Sequence, residues 1–166
     1  MHSGKVYIAL IVLSFTILGL FLTNAKTESL PFEEKQKGVC WVGLPKVIGD
    51  SQIVDIKNLG VSWISQTPFG WQRTLSDTTI RWETSSENPW WGESKRGIAI
   101  TTELARNRGI RTLLKPHIWV RNSWPGAIEM NSDAEWKAWF RQYENFILPY
   151  AALADSLGVE IFCIGT

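Results

Sequence analysis

The amino-acid sequence predicts an α/β protein, namely the N-terminal half of a (β/α)8 TIM barrel with four strands and three helices. A regular repeat of glycines is the first observation behind this prediction. Gly60, Gly109 and Gly158 each follow a helical stretch and open a short apolar run, and both intervals between them are 49 residues long. Glycine supplies the left-handed backbone that ends a helix, and the β-branched residue after it favours a strand. Helices and strands that alternate in this way build a parallel sheet with crossover helices.

The lengths of the connections are the second observation. The segments after the strands are long, at 68–96 and 118–131, whereas each helix returns to the next strand through one or two residues. Long segments at the carboxyl ends of strands build the active site of a barrel. A doubly wound sheet also binds ligands at its strand ends, but Gly43-Leu44-Pro45-Lys46 after the first strand is not a glycine-rich phosphate loop.

Apolar runs and helical periodicity define the individual elements. We predict strands at 39–43, 62–67, 111–117 and 160–165, and helices at 50–59, 97–108 and 133–157. The third helix has the strongest signals, because Ser132 and Glu135 form a capping box. Its apolar positions recur at steps of three and four, as in a stripe that faces a core. They are Trp136, Phe140, Tyr143, Ile147, Tyr150, Ala154 and Leu157.

The chain is too short for a whole barrel. Three repeats occupy the 120 residues from Gly38 to Gly158. Eight repeats therefore need about 320 residues, which is a usual size for barrels. We expect a fragment that ends at Thr166, at the carboxyl end of the fourth strand.

The N-terminal segment predicts export. An apolar run from Val6 to Leu22 follows a basic residue and precedes a small residue, Ala25, which is the order of a signal peptide. The run is also near the shortest length that spans a membrane, so an uncleaved anchor remains open. We assign 1–25 to a hydrophobic export or anchor helix, 26–37 to a linker and 38–166 to the barrel half. The barrel half is then expected outside the cytoplasm, as a secreted, periplasmic or membrane-anchored protein.

Charge and cysteine content give no reason to expect a nucleic-acid partner, a disulfide or a metal site. The 17 basic and 16 acidic side chains nearly balance, which gives no electrostatic reason to expect a nucleic-acid partner. Cys40 and Cys163 lie in apolar runs on the first and fourth predicted strands, too far apart for a disulfide. We expect two buried free thiols. No metal site and no cofactor are predicted.

Tryptophan and a few polar residues at strand ends point to a carbohydrate ligand. The chain has ten tryptophans, whose flat apolar faces suit the C–H face of a sugar ring, although any single one also suits a protein core. Lys115 and His117 end the third strand at the mouth of an apolar barrel. They are candidates to donate to sugar hydroxyls; alternatively His117 is structural and Lys115 pairs with an acid on a neighbouring strand. Three loop carboxylates are candidate acids or, alternatively, solvated surface groups: Glu83, Glu87 and Glu93.

Four sequence runs together resemble glycoside hydrolase family 113, whose members are clan A barrel enzymes with β-mannanase activity. The runs are Thr67-Pro68-Phe69-Gly70-Trp71-Gln72, Trp91-Gly92-Glu93-Ser94, Leu114-Lys115-Pro116-His117-Ile118-Trp119 and Ile161-Phe162-Cys163-Ile164-Gly165-Thr166. The resemblance covers roughly residues 36–166. The substrate-binding residues predicted from it and from the strand ends are Trp41, Trp71, Gln72, Lys115, His117 and Trp119.

The resemblance also implies where the catalytic carboxylates lie. In this family the Gly-Thr pair precedes the acid/base glutamate of the fourth strand, and the nucleophile lies on the seventh. We therefore expect no catalytic residue in the chain, the acid/base glutamate directly after Thr166, and no activity of the 166 residues alone. The full-length protein is expected to be an exported retaining β-glycosidase that acts on a mannan-like plant polysaccharide. The alternative is a non-catalytic carbohydrate-binding protein derived from a barrel.

Overall fold

The computed structural model describes residues 35–82 and 90–165, and residues Gln36–Thr166 form one compact unit. Two short 3₁₀ helices, Trp91–Glu93 and Pro125–Ala127, lie between the regular elements. In chain order these elements are β1 (Gly38–Trp41), α1 (Asp50–Asn58), β2 (Trp63–Gln66), β3 (Phe69–Gln72), α2 (Lys95–Asn107), β4 (Arg111–Leu114), β5 (His117–Val120), α3 (Asp133–Leu157) and β6 (Ile161–Phe162).

Four of the strands form a parallel sheet in the order β1-β2-β4-β6. This order is the order of the chain, so the described strands contain no point at which the winding reverses, as it does in a doubly wound sheet. A helix connects each strand of this sheet to the next, and α2 contacts both α1 and α3. The predicted alternation of helices and parallel strands is therefore confirmed.

The glycine repeat closes the three helices as predicted. Gly60, Gly109 and Gly158 have φ angles of +80°, +65° and +59°, and each lies directly before the segment that enters a strand. Side chains with a Cβ adopt this left-handed backbone only at a cost. At the start of α3, the Ser132 hydroxyl accepts a bond from the Glu135 amide, as expected for its N-cap.

A second parallel sheet, formed by β3 and β5, corrects the predicted loops. Both segments were taken as connections, but β3 lies within 68–96 and β5 overlaps the start of 118–131. The two strands pair in the same parallel register as β2 and β4. Pro68 and Pro116 interrupt the strands because proline has no N–H to donate. The predicted strand 111–117 consequently ends at Leu114, and pairing resumes at His117.

Two apolar clusters pack against the main sheet. One lies under α1 and α2 and includes Ile53, Ile64 and Ala105. The other lies under α3 and includes Phe146 and Tyr150. The predicted stripe of α3 is partly wrong: Trp139 and Phe146, which it omitted, are buried, whereas Phe140 is 59% exposed. The buried residues Trp139, Phe146, Tyr150 and Ala154 are seven, four and four residues apart, so they share one helical face that is rotated slightly from the predicted stripe.

The two cysteines are free, and one prediction about them is wrong. Strands β2 and β4 separate their strands in the sheet. Cys163 is half-buried, but Cys40 is exposed rather than buried. It lies on β1, an outer strand of the described sheet that pairs on one side only.

The segment before α2 packs tightly against the loop after β1. The Gly92 amide donates to the Leu44 carbonyl at 2.8 Å, and a Cβ added to Gly43 would lie 2.6 Å from Cγ of Glu93. Glu93 is buried, and its carboxylate accepts a bond from the Phe69 amide at 3.2 Å. Burial raises the pKa of this carboxyl, and the Phe69 bond partly offsets the rise. Glu93 thus fixes the backbone where β3 begins.

The membrane prediction is not addressed by these elements. Within residues 35–82 and 90–165, no helix is long and apolar enough to cross a bilayer. The predicted export segment, Val6 to Leu22, lies outside the described residues.

Substitution at Gly60 tests the role of the glycine repeat. Nothing lies within 4 Å of a Cβ added at Gly60, so Gly60→Ala introduces backbone strain without a clash. We expect this change to lower the free energy of unfolding by about 1 kcal/mol in urea titrations of the whole protein encoded by the gene. Gly60→Asn is the matched variant, because asparagine adopts the left-handed backbone at a lower cost than alanine. Equal stabilities of the two variants would contradict this reading.

Glu93→Gln tests the burial of the carboxyl. Folding raises the pKa of Glu93 above its ordinary value of 4.5. The carboxyl therefore contributes favourably to the free energy of unfolding below pH 4.5, and this contribution is lost as the pH rises through the raised pKa. Glutamine keeps an oxygen for the Phe69 amide and does not ionise. The stability of Glu93→Gln relative to wild type should therefore increase between about pH 4 and pH 7. Glu103→Gln, on the exposed surface of α2, controls for the lost charge. A difference that stays constant with pH would refute this account of Glu93.

Candidate functional site

Alternation along β3 and β5 sorts their side chains onto two faces. Gly70, Gln72, Ile118 and Val120 are buried on one face. The intervening residues lie on the other face, because successive side chains of a strand point in opposite directions. Phe69 pairs with His117, and Trp71 with Trp119, in the parallel register. The two strands therefore place four ring side chains side by side, beyond the carboxyl ends of β2 and β4.

These four residues, Phe69, Trp71, His117 and Trp119, form what we call the aromatic platform. The ring centroids of Trp71 and Trp119 are 5.8 Å apart, and the Phe69 ring lies 6.0 and 5.9 Å from them. The Phe69 and His117 rings meet edge to face at 5.8 Å. Both tryptophans remain about half exposed, at 46% and 48%. Large apolar ring faces held side by side and open to solvent are suited to stacking against the apolar face of a sugar.

Two polar side chains belong to this region: His117, which is part of the platform, and Lys115, which precedes it by two residues. Both side chains are half-buried. Burial lowers the pKa of His117, and the positive charge of Lys115 lowers it further. The imidazole is therefore neutral at neutral pH, with one nitrogen that donates and one that accepts. No carboxylate forms a salt bridge with Lys115 among the residues that the structure describes, so the alternative of a paired, purely structural lysine gains no support.

The structure places Gln72 behind the platform. Its side chain is buried and donates to the carbonyls of Thr74 and Leu75, at 2.8 and 3.2 Å. Its oxygen accepts a bond from the Trp139 indole at 2.8 Å. A direct contact between Gln72 and a substrate would require these bonds to break. In this arrangement Gln72 ties β3 to α3 instead.

Trp41 lies away from the other predicted site residues. It pairs in register with Gln66, whose side chain points towards α2 and bonds to Thr102 at 2.8 Å. Paired residues of a parallel ladder point to the same face. Trp41 accordingly packs, half-buried, against the apolar cluster under α1 and α2. The structure thus brings together Trp71, Lys115, His117 and Trp119 but not Trp41.

An open pocket of about 380 Å³ extends along the outer edge of the platform. Trp71, Gln72 and Trp119 line it, together with three residues that the sequence analysis did not select: Arg73, Arg81 and Arg121. Phe69 was also missed as a site residue. If β3 had been predicted as a strand, the two-residue spacing of Phe69, Trp71 and Arg73 would have identified Phe69 and Arg73 as site residues. Arg81 had no such signal, because a return of the chain brings it opposite Trp71.

The predicted loop acids have different outcomes. Glu83 and Glu87 lie outside the described residues. Glu93 lies at the start of β3, where its bond to the Phe69 amide supports the platform. Within the described ranges, no group of three or more His, Cys, Asp or Glu side chains is arranged to hold a metal ion.

Solved structures with the same fold are known. The GH113 β-mannanase AaManA from Alicyclobacillus acidocaldarius, in complex with ManMIm, is 26% identical with a TM-score of 0.65, over 78% of this chain and 44% of that chain. A GH113 β-1,4-mannanase with 21% identity and a TM-score of 0.63 shares the fold over 80% of this chain and 45% of its own. The chain spans less than half the length of these proteins. No curated protein matches it.

The sequence itself carries the family assignment. The model of Glycoside Hydrolase Family 113 matches residues 46–166, from the loop after β1 to the end of the chain. The match includes β3 and β5 and therefore the aromatic platform. It confirms the resemblance found in the four sequence runs: the chain belongs to glycoside hydrolase family 113.

Proposed function

We propose that this chain forms the first four strands of a (β/α)8 barrel in a retaining glycoside hydrolase that cleaves β-1,4-linked mannan. The observation that carries the proposal is the aromatic platform at the carboxyl ends of parallel strands, in a chain of family 113. Barrel enzymes bind their substrates at this end of the strands. The order β1-β2-β4-β6 supports the barrel, and the two solved structures compared above are described as β-mannanases.

In this proposal the described residues bind and orient the sugar chain. Trp71 and Trp119 stack against pyranose rings and hold the chain across the strand ends. Neutral His117 donates a hydrogen bond to a sugar hydroxyl or to a catalytic carboxylate. Retaining hydrolysis needs two carboxyl groups about 5–5.5 Å apart, one as acid/base and one as nucleophile. We assign both to sequence beyond this chain, the first directly after Thr166.

The proposal includes export. The order of basic, apolar and small residues within 1–25 supports a signal peptide or a membrane anchor, and hence a location outside the cytoplasm. A polysaccharide is too large to be taken up intact, so an enzyme that cleaves it acts where the polymer is found.

Hydrolysis of mannan by the whole protein encoded by the gene tests the function. We expect it to release reducing ends from β-1,4-mannan but not from β-1,4-glucan, which differs in configuration at C2. Proton NMR should show the product anomer with retained configuration first. The isolated 166-residue chain should release none. Binding of mannan without hydrolysis would favour the non-catalytic alternative, and absence of both would refute the proposal.

Removal of the tryptophan faces should weaken substrate binding. We expect Trp71→Ala and Trp119→Ala each to raise KM for mannan oligosaccharides about tenfold, since one stacked ring contributes roughly 1.4 kcal/mol. Trp124→Ala is the matched control, because that side chain is 73% exposed and does not belong to the platform. If all three variants have wild-type KM, the platform is not the sugar-binding surface.

His117→Ala should reduce turnover rather than stability. We expect kcat/KM to fall about 100-fold, as for the loss of one well-placed donor worth about 2.7 kcal/mol, with the melting temperature nearly unchanged. His117→Gln retains an N–H donor and should recover part of the loss. The alternative of a structural histidine forecasts a lower melting temperature with nearly normal kinetics. Activity within a few-fold of wild type would show that His117 is a packing residue.

A further inference from the structure

Three arginines surround the outer edge of the aromatic platform. Arg81 lies opposite Trp71 in an antiparallel bridge, in which their backbones exchange hydrogen bonds of 2.6 and 2.9 Å. Arg73 and Arg121 follow Trp71 and Trp119 by two residues. Opposed residues and residues two apart share a face of a sheet. All three arginines accordingly line the same open pocket of about 380 Å³.

Two of these three charges have no counterion among the described residues. Arg73 forms a salt bridge with Asp77, at 3.2 Å, which accounts for its charge. Neither Arg81 nor Arg121 forms an ion pair or a side-chain hydrogen bond within residues 35–82 and 90–165. The described part of the pocket thus combines two exposed indole faces with two arginines that have no acidic partner among the described residues.

Guanidinium groups select for charge and geometry. A neutral sugar chain offers only hydroxyls, which uncharged polar side chains also satisfy. A carboxylate matches the planar fork of arginine and accepts two parallel hydrogen bonds from it. Two arginines at the edge of a stacking surface therefore favour a pyranose ring that carries a carboxylate over one that carries a hydroxymethyl group.

We propose that this pocket binds an acidic sugar unit, a uronic acid residue within or attached to the β-linked chain. Its ring stacks on Trp71 or Trp119, and its carboxylate lies between Arg81 and Arg121. The inference rests on the proposed function, which gives a β-linked sugar chain as the ligand, and adds that this chain carries negative charge. It makes these two arginines determinants of specificity for acidic polysaccharide, separate from the catalytic carboxylates.

Calorimetric binding of two matched oligosaccharides tests the inference. The whole protein is used with the proposed acid/base glutamate after Thr166 replaced by glutamine, so that neither probe is cleaved, and this protein is the wild-type reference in the comparisons below. The probes are the β-1,4-linked tetramers of mannose and of mannuronate, which share ring configuration and linkage and differ in the carboxylate at C6. We expect the mannuronate tetramer to bind about tenfold more tightly, a difference of about 1.4 kcal/mol in binding free energy. Raising the ionic strength from 0.05 to about 0.5 M should reduce this preference.

Charge-neutral variants assign the preference to the pocket. The double variant Arg81→Gln/Arg121→Gln should bring the ratio of the two affinities close to one. The control Arg96→Gln/Arg141→Gln removes the same number of charges from exposed positions on α2 and α3 and should retain the wild-type ratio. Circular dichroism checks folding, and Arg121→Gln alone replaces the double variant if that protein does not fold.

The outcomes separate this inference from the proposed function. Binding of mannotetraose with no preference for mannuronate, in wild type and double variant alike, overturns the acidic-sugar site and leaves the mannan site standing. The same ratio in the double variant and in wild type also overturns it, since the preference then arises elsewhere. Absence of binding by both tetramers contradicts the sugar site as a whole.

Discussion

The parallel register between β3 and β5 is the constraint on which the candidate site depends. It sets Phe69 beside His117 and Trp71 beside Trp119. Because side chains alternate along each strand, this one register brings every ring of the platform to the same face. Two backbone bonds carry the pairing across the proline interruptions, from Lys115 to the Gln66 carbonyl at 2.8 Å and from His117 to the Pro68 carbonyl at 2.9 Å. A shift by one residue would bury the rings and expose the apolar face.

The buried face of the same strands explains why the register is held. Gly70 lies against Phe146 of α3 so closely that an added Cβ would lie 3.1 Å from its ring. Gln72 bonds to the Trp139 indole, and Glu93 bonds to the Phe69 amide at the other end of β3. The platform is thus supported from behind by α3 and at its edge by the segment before α2. Its exposed rings owe their positions to buried contacts that no ligand needs to touch.

Local signals in the sequence predicted the main sheet and the helices. A glycine at positive φ ends each helix and Ser132 caps the start of α3. These helix ends depend only on residues close together in the sequence, so they could be predicted from it. The extra strands could not, since β3 is only four residues long and follows a proline, which is typical of a loop. The faces of Trp41 and Gln72 depend on register with neighbouring strands. The sequence runs selected residues at the strand ends but could not show that these two point away from the platform.

The arginines illustrate a different limit of sequence analysis. Arg81 reaches the site through a bridge to Trp71 between segments ten residues apart in the sequence. No period or motif marks it, and the balanced total charge does not reveal that three arginines line one pocket. Only the three-dimensional pairing shows that this charge lies beside the exposed rings.

The central claim is that the surface formed by β3 and β5 holds the sugar chain. A crystal structure of the whole protein with bound β-1,4-mannotetraose would test it most directly, with the proposed acid/base glutamate replaced by glutamine so that the tetramer stays intact. The account predicts a pyranose ring in van der Waals contact, at about 4 Å, with the face of Trp71 or Trp119, and a sugar hydroxyl within hydrogen-bond distance of His117. An ordered tetramer bound elsewhere, with both indole faces still open to solvent, would contradict it.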